Sequence, residues 1–140
     1  MILDSSDNSE YFIYKYNISN EDKKRIRFLS NIFFKNLDKD TFKESNLWKI
    51  LYFNGKDYLN DLFNYKIFQN KNLDKKIIKL KNYFDNQEVP RFEIKAKTLI
   101  ENYNYKEGKE LGNKLKEIEE FWIDNSFKIS NEELNKIVKN

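Results

Sequence analysis

Apolar residues recur through most of this chain at intervals of three and four, the spacing that gathers them on one face of an α-helix. Over residues 20–37, Ile26, Leu29, Phe33 and Leu37 form one stripe, with Lys23, Lys24 and Arg27 away from it. Ser19 is the expected N-cap, and Glu21 and Asp22 occupy the first turn, where carboxylates suit the helix dipole. Residues 42–54 predict a second helix on Leu47, Ile50 and Leu51, closed by Gly55. Residues 57–69 predict a third, on Leu59, Phe63 and Ile67. Residues 73–85 predict a fourth, on Leu73, Ile77, Leu80 and Phe84.

Asn86-Gln-Glu-Val-Pro90 interrupts the pattern, because Pro90 disfavours helix at Val89. Helical spacing resumes at 95–103 and again at 108–125, where Leu111, Leu115, Ile118 and Trp122 align. Ser130-Asn-Glu-Glu133 reads as a capping box ahead of Leu134, Ile137 and Val138. The run at 10–18 is aromatic enough for a strand but has no partner strand, so it reads as helical or irregular. The expected fold class is all-α, a multi-helix bundle. Its two regions are a helical one at 1–86 and a second at 87–140 containing a glycine hairpin.

Composition narrows the chemistry. The 140 residues contain no Cys and no His, which removes disulfides, thiol nucleophiles and histidine-dependent triads. Lys and Arg number 26 against 23 Asp and Glu, a net charge of +3. That balance excludes a polybasic tail but leaves room for a local basic face. With 39% hydrophobic residues, a core is expected rather than disorder. Ala occurs once and Val twice, while Asn, Ile, Lys and Phe abound. This is the habit of an AT-rich genome, and it weakens any inference from lysine content alone. No basic-then-apolar leader opens the sequence. No run approaches the roughly 20 apolar residues of a membrane span. A soluble, cytoplasmic protein with no membrane partner is expected.

Phosphate-loop and dinucleotide fingerprints are absent. Asp38 and Asp40 have the spacing of a metal pair but fall in an inter-helix connection, and so read as a solvated turn. Glu119–Glu120 reads as a solvated helix face and Glu132–Glu133 as first-turn charge. Three features remain. Lys106, Gly108, Lys109 and Gly112 mark a hairpin whose helix entry could receive a phosphate, or simply a tight turn with Gly112 kept small at a helix crossing. Lys71, Lys75 and Lys79 repeat every four residues, with Lys76 alongside. That row could follow a phosphate backbone or be a solvated face. Lys95 and Lys97 stand near a helix start, where cations oppose the dipole. Most Tyr and Phe fall at core spacing rather than where bases could stack.

Two motifs carry a resemblance. Pro90-x-Phe92-x-Ile94-Lys95-Ala96-Lys97-Thr98-Leu99 is followed by Gly108-Lys109-Glu110-Leu111-Gly112-x-x-Leu115-Lys116-x-Ile118-Glu119-x-x-Trp122-Ile123-x-x-x-Phe127. Together they resemble the C-terminal region of bacterial tRNA nucleotidyltransferases, the CCA-adding enzymes and poly(A) polymerase relatives. Asn46-Leu-Trp-Lys-Ile-Leu-Tyr-Phe53 is similar to the body helices of that family. Ala96, Thr98 and Lys109 depart from it, standing where Gly, Asp and Pro are common. The resemblance implies the helical body and tail of a class II enzyme, with the catalytic head absent, as in a truncated product or a piece separated from its head. It implies tRNA as partner and Lys95, Lys97, Lys106, Gly108, Lys109, Gly112, Lys71, Lys75 and Lys79 as the RNA-binding set. A separate catalytic head is a further implied partner. It implies no cofactor on this chain. ATP, CTP and magnesium belong to the full-length enzyme, and this chain alone should transfer no nucleotide. The competing expectation is a headless helical protein-interaction module that binds no RNA.

Overall fold

The structure, a computed structural model, describes residues 7–35, 40–70, 72 and 74–140. All regular structure among them is helical, as the periodicity predicts. The chain divides into two compact units, Met1–Val89 and Pro90–Asn140.

The first unit contains α1 (Ser9–Tyr16), α2 (Asn20–Ser30), α3 (Glu44–Asn54), α4 (Lys56–Gln69) and α5 (Lys75–Asp85). The ambiguous aromatic run is thus helical. It is ended by Asn17 in the left-handed conformation, which Asn tolerates better than most residues. Ser19 caps α2 as expected, its hydroxyl accepting from the Asp22 N–H at 3.1 Å. The α-helix stops at Ser30, however, and Asn31–Lys35 forms a π-helical turn. The expected uninterrupted helix over 20–37 is corrected accordingly, and Leu37 lies outside the described residues. Helix α5 begins at Lys75 because the Asp74 carboxylate accepts from the N–H groups of Lys76 and Ile77, at 2.9 and 3.4 Å. Leu73 lies outside the described residues.

Leu29, Phe33, Leu47, Leu51, Leu59, Leu62, Phe63, Tyr65, Ile77 and Phe84 build one core. Each fully buried leucine there stabilises the fold by about 1.5–3 kcal/mol. Ile26, Ile50, Ile67 and Leu80 are only half-buried. Polar ties join the helices at the edge of that core. The Asp7 carboxylate accepts from the Ser9 hydroxyl at 2.6 Å and the Ser30 hydroxyl at 2.8 Å, which satisfies two buried serines and holds α1 to α2. Arg27 donates twice to Glu10 across the same pair of helices.

The second unit opens with non-helical chain from Pro90 to Lys95, the last residue extended, and continues as α6 (Ala96–Tyr103), α7 (Lys109–Asp124) and α8 (Asn131–Lys139). Leu99, Leu111, Ile118, Leu134 and Val138 form its core, with Leu115 and Ile137 packed against them. The capping box is present: the Glu133 N–H donates to the Ser130 hydroxyl at 3.2 Å, and the Ser130 N–H donates to the Glu133 carboxylate at 2.8 Å. At the other end of α8, unpaired helix carbonyls need donors. Lys114 Nζ supplies one to Ile137 O and the Tyr105 hydroxyl one to Val138 O, both at 3.1 Å. The Tyr103 hydroxyl adds a bond to Asn135 at 2.6 Å. Helix α8 is therefore fixed at both ends.

Candidate nucleic-acid interface

The lysines singled out in the sequence fall in both units. Lys75, Lys76 and Lys79 are exposed on α5, away from buried Ile77 and Phe84. Lys71 lies outside the described residues. Lys95, Lys97, Lys106 and Lys109 belong to the second unit, and all four are exposed. Lys95 is the N-cap residue of α6, and Lys109 is the first residue of α7. Lys95 and Lys97 thus mark the start of α6, while Lys106 lies in the α6–α7 connection.

Ion pairing distinguishes these lysines from their neighbours. Lys81 pairs with Asp85 at 2.9 Å, Lys116 with Glu120 at 3.8 Å and Lys114 with Glu117 at 2.8 Å. The Glu117 hydrogen bond raises the Lys114 ammonium above its ordinary range, so it stays charged with a carboxylate already beside it. Lys97 makes a long, exposed contact of 3.5 Å to Glu101. Lys75, Lys79, Lys95, Lys106 and Lys109 have no carboxylate within 4.0 Å among the described residues. The carboxylates weighed in the sequence have local duties: Asp40 pairs with Lys43 at 2.8 Å, and Glu133 serves the capping box. Asp38 lies outside the described residues.

The two glycines have separate roles. Gly108 precedes α7 with φ +149 and ψ −169, a conformation essentially reserved for glycine. As a glycine it offers the first amides of α7 no side-chain cap. Gly112 is not part of the turn. It lies inside α7, is exposed, and a Cβ placed on it would meet nothing within 4 Å. The expectation that Gly112 stays small where helices cross is overturned, because no neighbouring helix reaches it. The hairpin contains one required glycine, not two.

Sequence reasoning missed a groove in the same unit. It has a volume of about 580 Å³ and lies between the non-helical segment after Pro90 and the α7–α8 connection. Its floor is aromatic. The Trp122 ring lies 5.3 Å from that of Phe92 and 4.9 Å from that of Phe127, the latter edge-on at 84°. The wall containing Phe127 is strained: Ser126 and Phe127 are both left-handed, at φ 56 and 60. Such backbone is rare for a bulky residue and is held only where surroundings over-determine it. Here the Phe127 N–H donates to Trp122 O at 2.8 Å, and the Asn125 side chain donates to Lys128 O at 3.0 Å. Arg91 and Lys128 line the groove, are exposed, and form no ion pair with a described carboxylate. Phe92, Trp122 and Phe127 stood in the sequence motif. The signal for their meeting was the Trp122–Phe127 spacing across a helix end, opposite Phe92.

Comparison with known proteins matches no family model, no curated protein and no solved structure. Among the described residues, no helix is long and apolar enough to cross a membrane, and no three His, Cys, Asp or Glu side chains are grouped to hold a metal ion.

Proposed function

We propose that this chain is the tRNA-binding helical part of a CCA-adding or poly(A)-adding nucleotidyltransferase, serving tRNA 3′-end processing and transferring no nucleotide by itself. The observation that carries the reading is the set of exposed lysines that pair with no described carboxylate: Lys95 at the start of α6, Lys106 in the α6–α7 connection and Lys109 at the start of α7. They fall within the stretch that resembles the family. A-form RNA presents phosphates and 2′-hydroxyls rather than readable base edges in its deep groove, so a shape-reading clamp needs spaced cations on a rigid scaffold. Helices α6 and α7 supply that scaffold, and Lys75 and Lys79 on α5 offer further charge. ATP, CTP and magnesium are assigned to a catalytic head, in the cytoplasm. No transfer step is assigned to residues of this chain.

The test is fluorescence anisotropy with labelled tRNA and with duplex DNA of equal length. The proposal expects micromolar binding of tRNA against which the DNA competes poorly, and no extension of a tRNA lacking its 3′ end. Equal binding of both, or nucleotide addition by the chain alone, contradicts it.

A second reading rests on α1. Tyr11, Tyr14 and Tyr16 are 61%, 88% and 54% exposed on this short helix. Tyr11 and Tyr14, three residues apart, share one face of it, and Tyr16 lies on the other side. The Tyr11–Tyr14 face favours a protein contact, either with the separate head or in an interaction module that binds no RNA. Co-purification of a partner lost on Tyr14→Ser, together with no tRNA binding, would favour the interaction module.

A further inference from the structure

The aromatic groove of the second unit has a chemistry that the lysine clamp does not use. Its floor offers ring surface from Phe92 and Phe127, both half-buried, over Trp122. Its lining also holds two cations that pair with no described carboxylate, Arg91 and Lys128, and one carboxylate, Glu93. We infer that the groove receives a single unpaired nucleotide of a bound RNA. This assignment rests on the RNA-binding reading above and adds a site to it.

Three observations converge on that occupant. The first is size: about 580 Å³ is within the range of small-ligand sites. The second is the pairing of flat aromatic surface with free positive charge. A base stacks on an aromatic ring whatever its identity, and the attached phosphate needs a cation within reach. An apolar peptide would cover Arg91 and Lys128 and leave both charges desolvated without partners, which is costly. Glu93, an acceptor, suits the amino edge of guanine, adenine or cytosine. The third is the fixed position of the Phe127 ring. Ser126 and Phe127 close the C-terminus of α7 in left-handed backbone, with the Phe127 N–H bonded to Trp122 O, and this cap sets the Phe127 ring edge-on to Trp122.

Trp48 and Trp122 are the two tryptophans of the chain, so Trp48→Phe leaves Trp122 as a reporter inside the groove. The experiment titrates this variant with two labelled RNAs, a hairpin with an unpaired loop and a blunt duplex of equal length. Trp122 emission and RNA anisotropy are read together. The expected result is a change in Trp122 emission with the hairpin only. Adding Arg91→Glu and Lys128→Glu, both at exposed positions, should abolish it and weaken hairpin binding by about tenfold or more, with duplex binding reduced far less. RNA binding by anisotropy with unchanged Trp122 emission would overturn the groove assignment while leaving the clamp intact. Absence of any RNA binding would overturn both. A Trp122 response to an apolar peptide but not to the hairpin would make the groove a protein site instead.

Discussion

Arg25 of α2 and Asp61 of α4 meet through two parallel hydrogen bonds, Nε to Oδ2 at 2.6 Å and Nη2 to Oδ1 at 2.7 Å. The hydrogen bond to Asp61 raises the guanidinium above its already high ordinary range, so the cation persists at every accessible pH. The side chains are 31% and 23% exposed, more sheltered than an ordinary surface pair. Bidentate geometry and partial burial together justify more than the tenths of a kcal/mol typical of exposed ion pairs. Asp61→Asn should destabilise the first unit by about 1–2 kcal/mol. Asp85→Asn, which breaks a same-helix pair with Lys81, should cost at most about 0.5 kcal/mol. Urea denaturation of both variants checks the contrast, and equal losses would mean that Arg25–Asp61 is no more than a surface pair.

The two glycines of the second unit should respond in opposite directions. Gly112→Ala adds a methyl in open space within a helix, so it should stabilise by about 0.5–1 kcal/mol. Gly108→Ala forces a side chain into strained backbone and should cost about 1–3 kcal/mol. Thermal melts followed by circular dichroism separate the two. Gly112→Ala should also leave tRNA affinity unchanged, because nothing in the fold approaches that position. A stabilised variant that loses RNA binding would instead make Gly112 a point of close backbone approach by RNA.

Helix α8 supplies a pH dependence. The backbone N–H of Ser130, and next its hydroxyl, hold the Glu133 carboxyl below its ordinary range. A carboxyl lowered in the folded state contributes stability at pH values above its unfolded value. That contribution is lost as the pH falls through the folded value. Stability of the second unit should therefore drop on acidification below the usual glutamate range, and Glu133→Gln should flatten that part of the profile. Ser130→Ala, which removes the hydroxyl cap at any pH, should cost about 1 kcal/mol at neutrality. An acid profile identical in wild type and Glu133→Gln would exclude this carboxylate as the source.

Much of the fold was legible because single residues announced it. Ser19 and Ser130 mark helix starts with hydroxyl caps, and Pro90 ends helical chain at the start of the second unit. The aromatic run of α1 was ambiguous for a physical reason: Tyr and Phe favour strands by packing, and tertiary ties, the Asp7–Ser9–Ser30 cluster and the Arg27–Glu10 pair, hold this one against α2. The π-helical turn at Asn31–Lys35 left no mark in the pattern, since Ile26, Leu29 and Phe33 fit a regular helix equally well. At Gly112, spacing suggested a tight crossing that the packing does not contain. The candidate lysines could be named from sequence, but not which were already paired. That depends on carboxylates reaching particular neighbours, as Glu101 reaches Lys97. The groove was hidden for a related reason. Left-handed backbone is signalled by Gly or Asn, and Ser126 and Phe127 are neither.

The most direct measurement is tRNA affinity as a function of salt, for the wild type and for Lys106→Ala/Lys109→Ala. Each phosphate contact contributes about −0.7 to −0.9 to the slope of log K against log salt. A tRNA clamp on the α6–α7 hairpin should bind in the micromolar range with a steep slope. The double substitution should weaken binding at low salt and flatten the slope by about 1.5. An identical slope in wild type and variant would remove Lys106 and Lys109 from the interface. Failure of the wild type to bind tRNA at low salt would contradict the clamp itself.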